Sequence, residues 1–261
     1  MLICPLCKTK LLEEPKRFCC MQGHAYDKAK SGYVHLLIGS SAKSHGDDEA
    51  MVASRTRFLR ASHYDPLKNR LISLIQDLKI SSLTDLGCGE GTYTNAIAEA
   101  LNINVIGIDL SKSALKTASK GHPSVTYALA NITKAPIADH STQAVLSVFS
   151  PIDLKEVRRI GQEFLILVRP LPKHLHALKA VLYDNVIDNP LPDTDLPQMT
   201  CILREELSFT MDLDQQSISD LLEMTPYAHT SPLSGLQRVK ALTQLSVMAQ
   251  FELAVFRFLR D

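Results

Sequence analysis

Between residues 82 and 109 the chain sets four signals in a fixed order. Ser82-Leu83-Thr84-Asp85-Leu86 reads as a strand, Asp85-Leu86-Gly87-Cys88-Gly89-Glu90-Gly91 as a tight turn, Thr92 to Leu101 as a helix, and Asn104-Val105-Ile106-Gly107-Ile108-Asp109 as a second strand. A strand that turns at once into a helix needs glycine, which enters left-handed conformations at little cost and lets a ligand approach bare main chain. Two strands joined through a helix must lie parallel in one sheet, so this stretch points to an α/β fold.

The alternation continues downstream. Ser113 to Lys120 reads as a helix, and Val125 to Leu129, Ala144 to Phe149 and Phe164 to Val168 read as strands. Near the end Leu207 to Asp212 and Phe251 to Phe258 are β-rich, with a helical Ile218 to Met224 between them. Upstream, Asp48 is placed to cap a helix over Glu49 to Arg60, and Asp65-Pro66 opens another, with Leu67, Leu71, Leu74, Ile75 and Leu78 on one face. The pattern predicts a mostly parallel sheet wrapped by helices, in a chain whose 261 residues accommodate one large domain and a small appendage. There is no internal repeat.

Six cysteines stand at 4, 7, 19, 20, 88 and 201, four of them within the first twenty residues. Residues 1 to 38 are too few to bury a core unaided and need a staple. Cys4-x2-Cys7 followed by Cys20-x3-His24 supplies the sulfur and nitrogen donors that tetrahedral structural Zn²⁺ prefers, and four protein ligands leave no open position for catalysis. Cys19-x4-His24 is also a permissible spacing, so the third thiol remains open on spacing alone. Gly39 to Asp48 reads as a flexible linker. No apolar run reaches the ~20 residues that cross a bilayer, and the N-terminal stretch lacks the pattern of a signal peptide. The expected setting is cytoplasmic, with no membrane partner.

Net charge is zero from 28 basic and 28 acidic residues, yet residues 1 to 80 hold 13 Lys and Arg against 8 Asp and Glu, and the remainder holds 15 against 20. A basic front on an acidic body is the distribution expected of a chain whose front contacts phosphates. Candidate phosphate contacts are Lys8, Lys10, Lys16, Arg17, Lys28 and Lys30, extended by Arg55, Arg57 and Arg60 along the first helix.

The glycine turn carries the chemistry. Its spacing is G-x-G-x-G, and Asp85 precedes the glycines, where a cationic, amino-bearing cofactor tolerates a carboxylate and a pyrophosphate does not. Asp109 ends the next strand 22 residues after Gly87 and can accept both hydroxyls of a ribose. These features favour S-adenosylmethionine over a dinucleotide, with Asp85, Gly87, Gly89, Glu90, Gly91 and Asp109 as the binding residues. Cys88 reads as a small buried filler. At the end of the fourth strand Phe149 is a candidate to stack a target base and Asp153 to accept a proton, a core position being the plainer reading of Phe149.

Taken together the chain resembles the bacterial 23S ribosomal RNA guanine-N1 methyltransferases, the RlmA family, over almost its whole length. The residues that carry the resemblance are Cys4-Pro5-Leu6-Cys7, Cys20 with His24, Gly32-Tyr33-Val34, Leu36-Leu37, Phe58-Leu59, His63-Tyr64, Pro66-Leu67, Asp85 to Gly91, His174-Leu175, Leu178-Lys179 and Met224-Thr225-Pro226. The resemblance implies a Rossmann-like class I methyltransferase fold with a small N-terminal zinc-binding domain. It places the third zinc thiol on Cys20, completing the set Cys4, Cys7, Cys20 and His24, and brings Tyr64 and His174 to the cofactor. It also implies a hairpin of 23S ribosomal RNA as substrate and a homodimer. The family's Lys-Pro-Gly-Gly turn before the fifth strand is replaced here by Arg158 to Glu163, and the acid many methyltransferases carry before the fourth strand is replaced near Gln143.

The expected organisation is a zinc-binding RNA-recognition module over 1–38, a linker and basic helical connector over 39–69, and a methyltransferase domain over 70–261. The rival expectations are a small-molecule methyltransferase, since this fold does not name an acceptor, and an RNA-binding or assembly factor without turnover.

Overall fold

The computed structural model describes residues 1–38 and 46–259. Most of the linker expected over 39–48 lies outside the described residues. Three short antiparallel strands, β1 (Leu11–Glu13), β2 (Arg17–Cys20) and β3 (Ala25–Asp27), make a small sheet, and β4 (Val34–His35) follows. Helices α1 (Glu49–Arg60) and α2 (Asp65–Asp77) lead into the alternating body: β5 (Ser82–Leu86), α3 (Thr92–Leu101), β6 (Asn104–Asp109), α4 (Lys112–Ala118), β7 (Val125–Leu129), β8 (Thr142–Val148), α5 (Leu154–Ile160), β9 (Gly161–Pro170) and α6 (His176–Leu182). The chain closes with β10 (Met199–Asp214), α7 (Gln215–Glu223), α8 (Tyr227–Thr230), α9 (Leu233–Lys240) and β11 (Gln244–Phe258).

Eight strands form one sheet in the order β10-β11-β9-β8-β5-β6-β7-β4. β11 is antiparallel to both its neighbours and the other pairings are parallel. The strand order reverses between β5 and β8, and at such a switch point the loops leaving the C-terminal ends splay apart and leave a crevice. Asp85, Asp109 and Phe149 all leave the sheet at that end.

Side chains alternate between the two faces. Phe164, Ile166 and Val168 of β9 face a core built with α1, α2, α3, α4, α6 and α7, whereas Leu165 and Leu167 face a second core. That second core contains Val157 and Ile160 of α5 together with Leu2, Cys4, Leu11, Phe18, Val34 and Leu36 from the first 38 residues. The N-terminal segment therefore serves as part of the layer covering one face of the sheet. Its join is also made of backbone. β4 pairs in parallel with β7 through Val34 and Ala128, Ile3 N–H donates to Pro136 carbonyl at 2.8 Å, and Ala138 N–H donates to Met1 carbonyl at 3.0 Å.

Several local expectations hold to the residue. α1 spans Glu49–Arg60 with Asp48 accepting from Met51 N–H at 2.9 Å, which satisfies a free donor of the first turn. The stretch Arg158 to Glu163 is the end of α5 running straight into β9 without a turn, and Gly161 makes this possible because the Phe258 ring occupies the space a Cβ would need. Gln143 accepts from Ser81 N–H and hydroxyl at 2.8 and 3.0 Å, tying the start of β8 to β5.

The basic surface expected along α1 needs correction. Arg55 points inward and pairs with Asp47, and Arg57 holds the buried Asp220 of α7 at 2.5 Å, so of the three arginines Arg60 alone is exposed and outside any ion pair among the described residues. The helix packs both flanks, against α4 and α7, and its arginines cross-link what it packs on. Among the described residues no helix is long and apolar enough to cross a membrane.

Because Leu36 is buried where the N-terminal segment meets the sheet, Leu36→Ala should destabilise the whole chain by about 2–5 kcal/mol, the usual cost of such a core truncation. Chemical denaturation followed by near-ultraviolet dichroism should show one shifted transition; loss of the N-terminal segment alone with the body unchanged would contradict a shared core.

Candidate functional site

Two sites stand on this frame. In the first, the ligand atoms of Cys4, Cys7, Cys20 and His24 all lie within 4.8 Å of one another. Cys7 and Cys20 sulfurs are 3.6 Å apart, and His24 Nδ1 is 3.5 Å from Cys4 Sγ and 3.4 Å from Cys20 Sγ. A tetrahedron with Zn–S bonds of ~2.3 Å has edges of roughly 3.7 Å, close to these three distances, so the four donors are grouped as a zinc site requires. The alternation of β2 decides between the adjacent thiols: Cys20 is buried towards the cluster, and Cys19 takes the other face. The Tyr26 hydroxyl lies 3.1 Å from Cys4 Sγ and the Thr9 hydroxyl 3.1 Å from Cys7 Sγ, each able to donate to a thiolate. Chiefly through that Thr9 contact, the Cys7 thiol is lowered to about 7, which favours the metal-binding form.

The second site is the glycine turn. Gly87 and Cys88 N–H both donate to Ile108 carbonyl, at 2.8 and 3.1 Å, folding the turn back on β6. Asp109 fastens it: Oδ2 accepts from Gly89 N–H at 2.9 Å and Oδ1 from Ser111 N–H at 2.7 Å. Each oxygen keeps a lone pair, so the carboxylate can still receive two ribose hydroxyls. Gly89 has φ +54°, and a Cβ there would meet nothing nearer than Arg55 Nη1 at 3.7 Å. That is ordinary van der Waals contact, whereas a Cβ on Gly87 would strike Ser150 of the β8 loop. Glu90 is buried at the mouth of the turn.

Asp85 is 2% exposed. Its Oδ2 accepts from the Thr94 hydroxyl at 2.6 Å, while Oδ1 is buried without a partner. Burial, reinforced by the Asp109 and Glu90 charges against the Thr94 bond, pushes its carboxyl up to about 7. A buried carboxylate lacking a partner beside an open glycine turn fits a cation or ammonium group. Burial also raises the Cys88 thiol far above its ordinary value, which suits the filler role.

Beside the turn lies an aromatic cluster. Tyr64 is buried with its ring edge-on to Phe58, Phe209 and Phe251 at 5.3, 6.1 and 5.2 Å. Phe149 stands one residue beyond β8 with φ +56°, a strained conformation for an aromatic residue, and is 45% exposed, its ring 5.0 Å from Phe251 and 6.5 Å from Tyr64. This placement differs from a core strand position. His174 packs against Phe251 with ring centroids 4.6 Å apart and planes tilted by 44°, and its Nδ1 accepts from Gln250 N–H at 3.1 Å, leaving the proton on Nε2. Burial lowers the imidazole to about 3, so it is neutral. Asp153 caps α5, with Oδ1 accepting from Lys155 and Glu156 N–H at 2.9 and 3.2 Å, which leaves Oδ2 outside the cap. Arg55, Tyr93, Thr94 and Ser111 also stand beside the residues of the turn, a placement that no local period in the sequence announces.

A cavity of 360 Å³ opens elsewhere, between Leu11, Glu13 and Phe18 of the N-terminal segment and the strand starts at Ser82 and Asn104. The starts of these strands lie about 17 Å from their ends at ~3.3 Å per residue, so this cavity is separate from the glycine turn.

Known proteins show the same two parts. Residues 2–44 match the family model described as RlmA, N-terminal, a zinc ribbon, and residues 83–170 match a model described as methyltransferase domain. A Bacillus subtilis protein provisionally named 23S rRNA (guanine-N(1)-)-methyltransferase YxjB is 28% identical, the match covering 98% of this chain and 96% of that protein. A Micromonospora griseorubida protein with the same provisional activity is 29% identical over 97% and 96%. The 23S rRNA (guanine(748)-N(1))-methyltransferase of Streptomyces fradiae is 28% identical over 92% and 90%.

Two measurements check these sites. Metal analysis of the purified chain should find one zinc, absent from Cys4→Ser/His24→Ala; a metal-free unmodified protein would remove the zinc assignment. S-adenosylhomocysteine carries an ammonium group, which favours ionised Asp85, so its binding should release a proton and strengthen as pH rises through about 7. Calorimetry should read affinity about tenfold weaker at pH 6 than at pH 8, with Asp85→Asn flattening the difference.

Proposed function

Because the chain belongs to the RlmA family, we propose that it transfers the methyl group of S-adenosylmethionine to N1 of a guanine in 23S ribosomal RNA. The observation that carries this reading is the coexistence, in one folded unit, of a four-ligand zinc ribbon and a glycine turn held by Asp109 with the buried, partnerless Asp85 oxygen beside it. The residues proposed to hold the cofactor are Tyr64, Asp85, Gly87, Gly89, Glu90, Gly91, Asp109 and His174. S-adenosylmethionine supplies a methyl group already activated by its sulfonium charge.

The protein then has two tasks, to align the acceptor nitrogen with the methyl group and to take up the N1 proton. Phe149 offers an exposed ring at the crevice, and stacking on it would hold an extruded guanine flat over the Tyr64 and Phe251 cluster. Asp153 Oδ2, left outside the helix cap, is the proposed proton acceptor. The neutral His174, buried behind Phe251, braces the cluster and presents an Nε2 donor rather than a charge.

A hairpin as the form of the RNA, a homodimer and a cytoplasmic setting belong to the same proposal through the family resemblance. Lys8, Lys10, Lys16 and Lys30 are exposed and outside any ion pair among the described residues, whereas Arg17 and Lys28 pair with Glu14 and Glu13. The four lysines are the proposed phosphate contacts.

Incubating the chain with labelled S-adenosylmethionine and unmethylated 23S ribosomal RNA, then mapping by mass spectrometry, should place the label on N1 of a guanine. Label confined to small molecules, or cofactor binding without transfer to any RNA, would replace this reading with one of its rivals. Replacing the four lysines by alanine should lower the salt-dependence slope of RNA binding by about one unit for each phosphate no longer neutralised.

A further inference from the structure

We propose that Arg55 and Tyr93 recognise the carboxylate of the methyl donor's amino-acid head, opposite Asp85, which faces its ammonium group. The proposal rests on the donor-binding reading above and adds two residues to it.

Arg55 projects from α1 into the mouth of the glycine turn. Its Nη1 stands 3.7 Å from the point where a Gly89 Cβ would lie and 4.0 Å from Glu90 Oε2, and its Nη2 donates to Met224 carbonyl at 3.3 Å. Anchored at both ends, the guanidinium cannot swing into solvent as a surface arginine would. It is surrounded by acids: Asp47 pairs with it directly, and Glu90 and Asp109 act on it from the turn. Asp109 and Tyr93 both feel its charge in return. A cation among several carboxylates is explained as structure only in part, because one partner suffices to neutralise it. A guanidinium has five donors in a planar fork, so bonds to Asp47 and Met224 leave others free for a second carboxylate.

Tyr93, the second residue of α3, supplies an independent observation. Its hydroxyl is buried with no hydrogen-bond partner, as is Asp85 Oδ1. Buried polar atoms are nearly always paired, so an unpaired one asks for a group brought from outside. Thr84 Oγ1 is the other buried orphan, but it lies within β5, whereas the Tyr93 hydroxyl, the Asp85 carboxyl and the Arg55 guanidinium all feel the charge of Glu90 in the turn and differ in kind: a neutral donor, an anion and a cation. A zwitterionic amino acid needs that set. An adenine ring does not, and a ribose is already provided for by Asp109.

Calorimetry on the full-length protein with two ligands separates head recognition from scaffolding. S-adenosylhomocysteine carries the amino-acid head, and 5′-methylthioadenosine keeps the adenosine and thioether but lacks the head. Arg55→Ala should weaken S-adenosylhomocysteine at least about tenfold, as expected when a charge-assisted hydrogen bond is removed, and leave 5′-methylthioadenosine within about twofold. Tyr93→Phe, which preserves the ring packing, should weaken S-adenosylhomocysteine several-fold and 5′-methylthioadenosine not at all. Arg55→Lys should fall between Arg55→Ala and the unmodified chain. Parallel weakening of both ligands in Arg55→Ala, or unchanged S-adenosylhomocysteine affinity in both variants, would overturn the proposal while leaving the donor reading intact. An unmodified protein that binds the two ligands equally would do the same. If the unmodified protein binds neither, the donor reading falls and this inference with it.

Discussion

The bond from Gly89 N–H to the Asp109 carboxylate is the point on which the site depends. It ties the turn after β5 to the end of β6, and with the two N–H bonds to Ile108 carbonyl it bends the backbone so that Gly89 opens on the crevice. The sheet makes this bond possible. β5 and β6 pair in register from Ser82 and Asn104 to Leu86 and Ile108, so Asp109 comes out level with the turn. A change in register of one residue would reverse the faces of β5 and carry Asp85 away from Thr94.

The same sheet explains the N-terminal ribbon. In a doubly wound fold both faces of a parallel sheet must be covered, and here one face has a full helical layer while the other has α5 and the first 38 residues. Zinc ligands shape a segment too short for its own core, and the buried side chains of that segment go to the sheet. Metal and hydrophobic burial are thus coupled: Cys4 belongs at once to the ligand set and to the second core. The ribbon cannot be understood as a freely tethered arm, because its last strand is hydrogen-bonded to β7.

Charge at the crevice is unbalanced in a way that bears on function. Asp47, Glu90 and Asp109 gather around one arginine, Asp85 adds a further acid that feels Asp109 and Glu90, and the carboxyls of Asp85 and Asp109 are raised mainly by burial. Such an arrangement costs stability and is expected where a cationic ligand offsets it. The aromatic cluster beside it is apolar on its buried side and offers a half-exposed Phe149 ring to the crevice, so a positively charged donor and a flat acceptor would meet at the boundary of two unlike surfaces.

By itself the amino-acid sequence determined the parts whose signals are local. The glycine turn, Asp85 and Asp109, the zinc ligands up to the choice between Cys19 and Cys20, the caps and the central strands are all written in neighbouring residues, because turn chemistry, ligand spacing and strand alternation act over a few positions. The short helices α6, α8 and α9 and the strands of the ribbon carry too little periodicity to be read that way. Tertiary structure alone decided that Arg55 turns inward and that the exposed Arg57 is held by a buried acid, since their basic spacing on α1 looks the same whether the facing surface is solvent or the acids Asp47 and Asp220. It decided that Val34 and His35 join the main sheet, and that Phe149 leaves the core. Each of these depends on a partner far along the chain, and which distant group a side chain meets is set by the packing of the sheet and its layers, for which no local pattern of residues is a substitute.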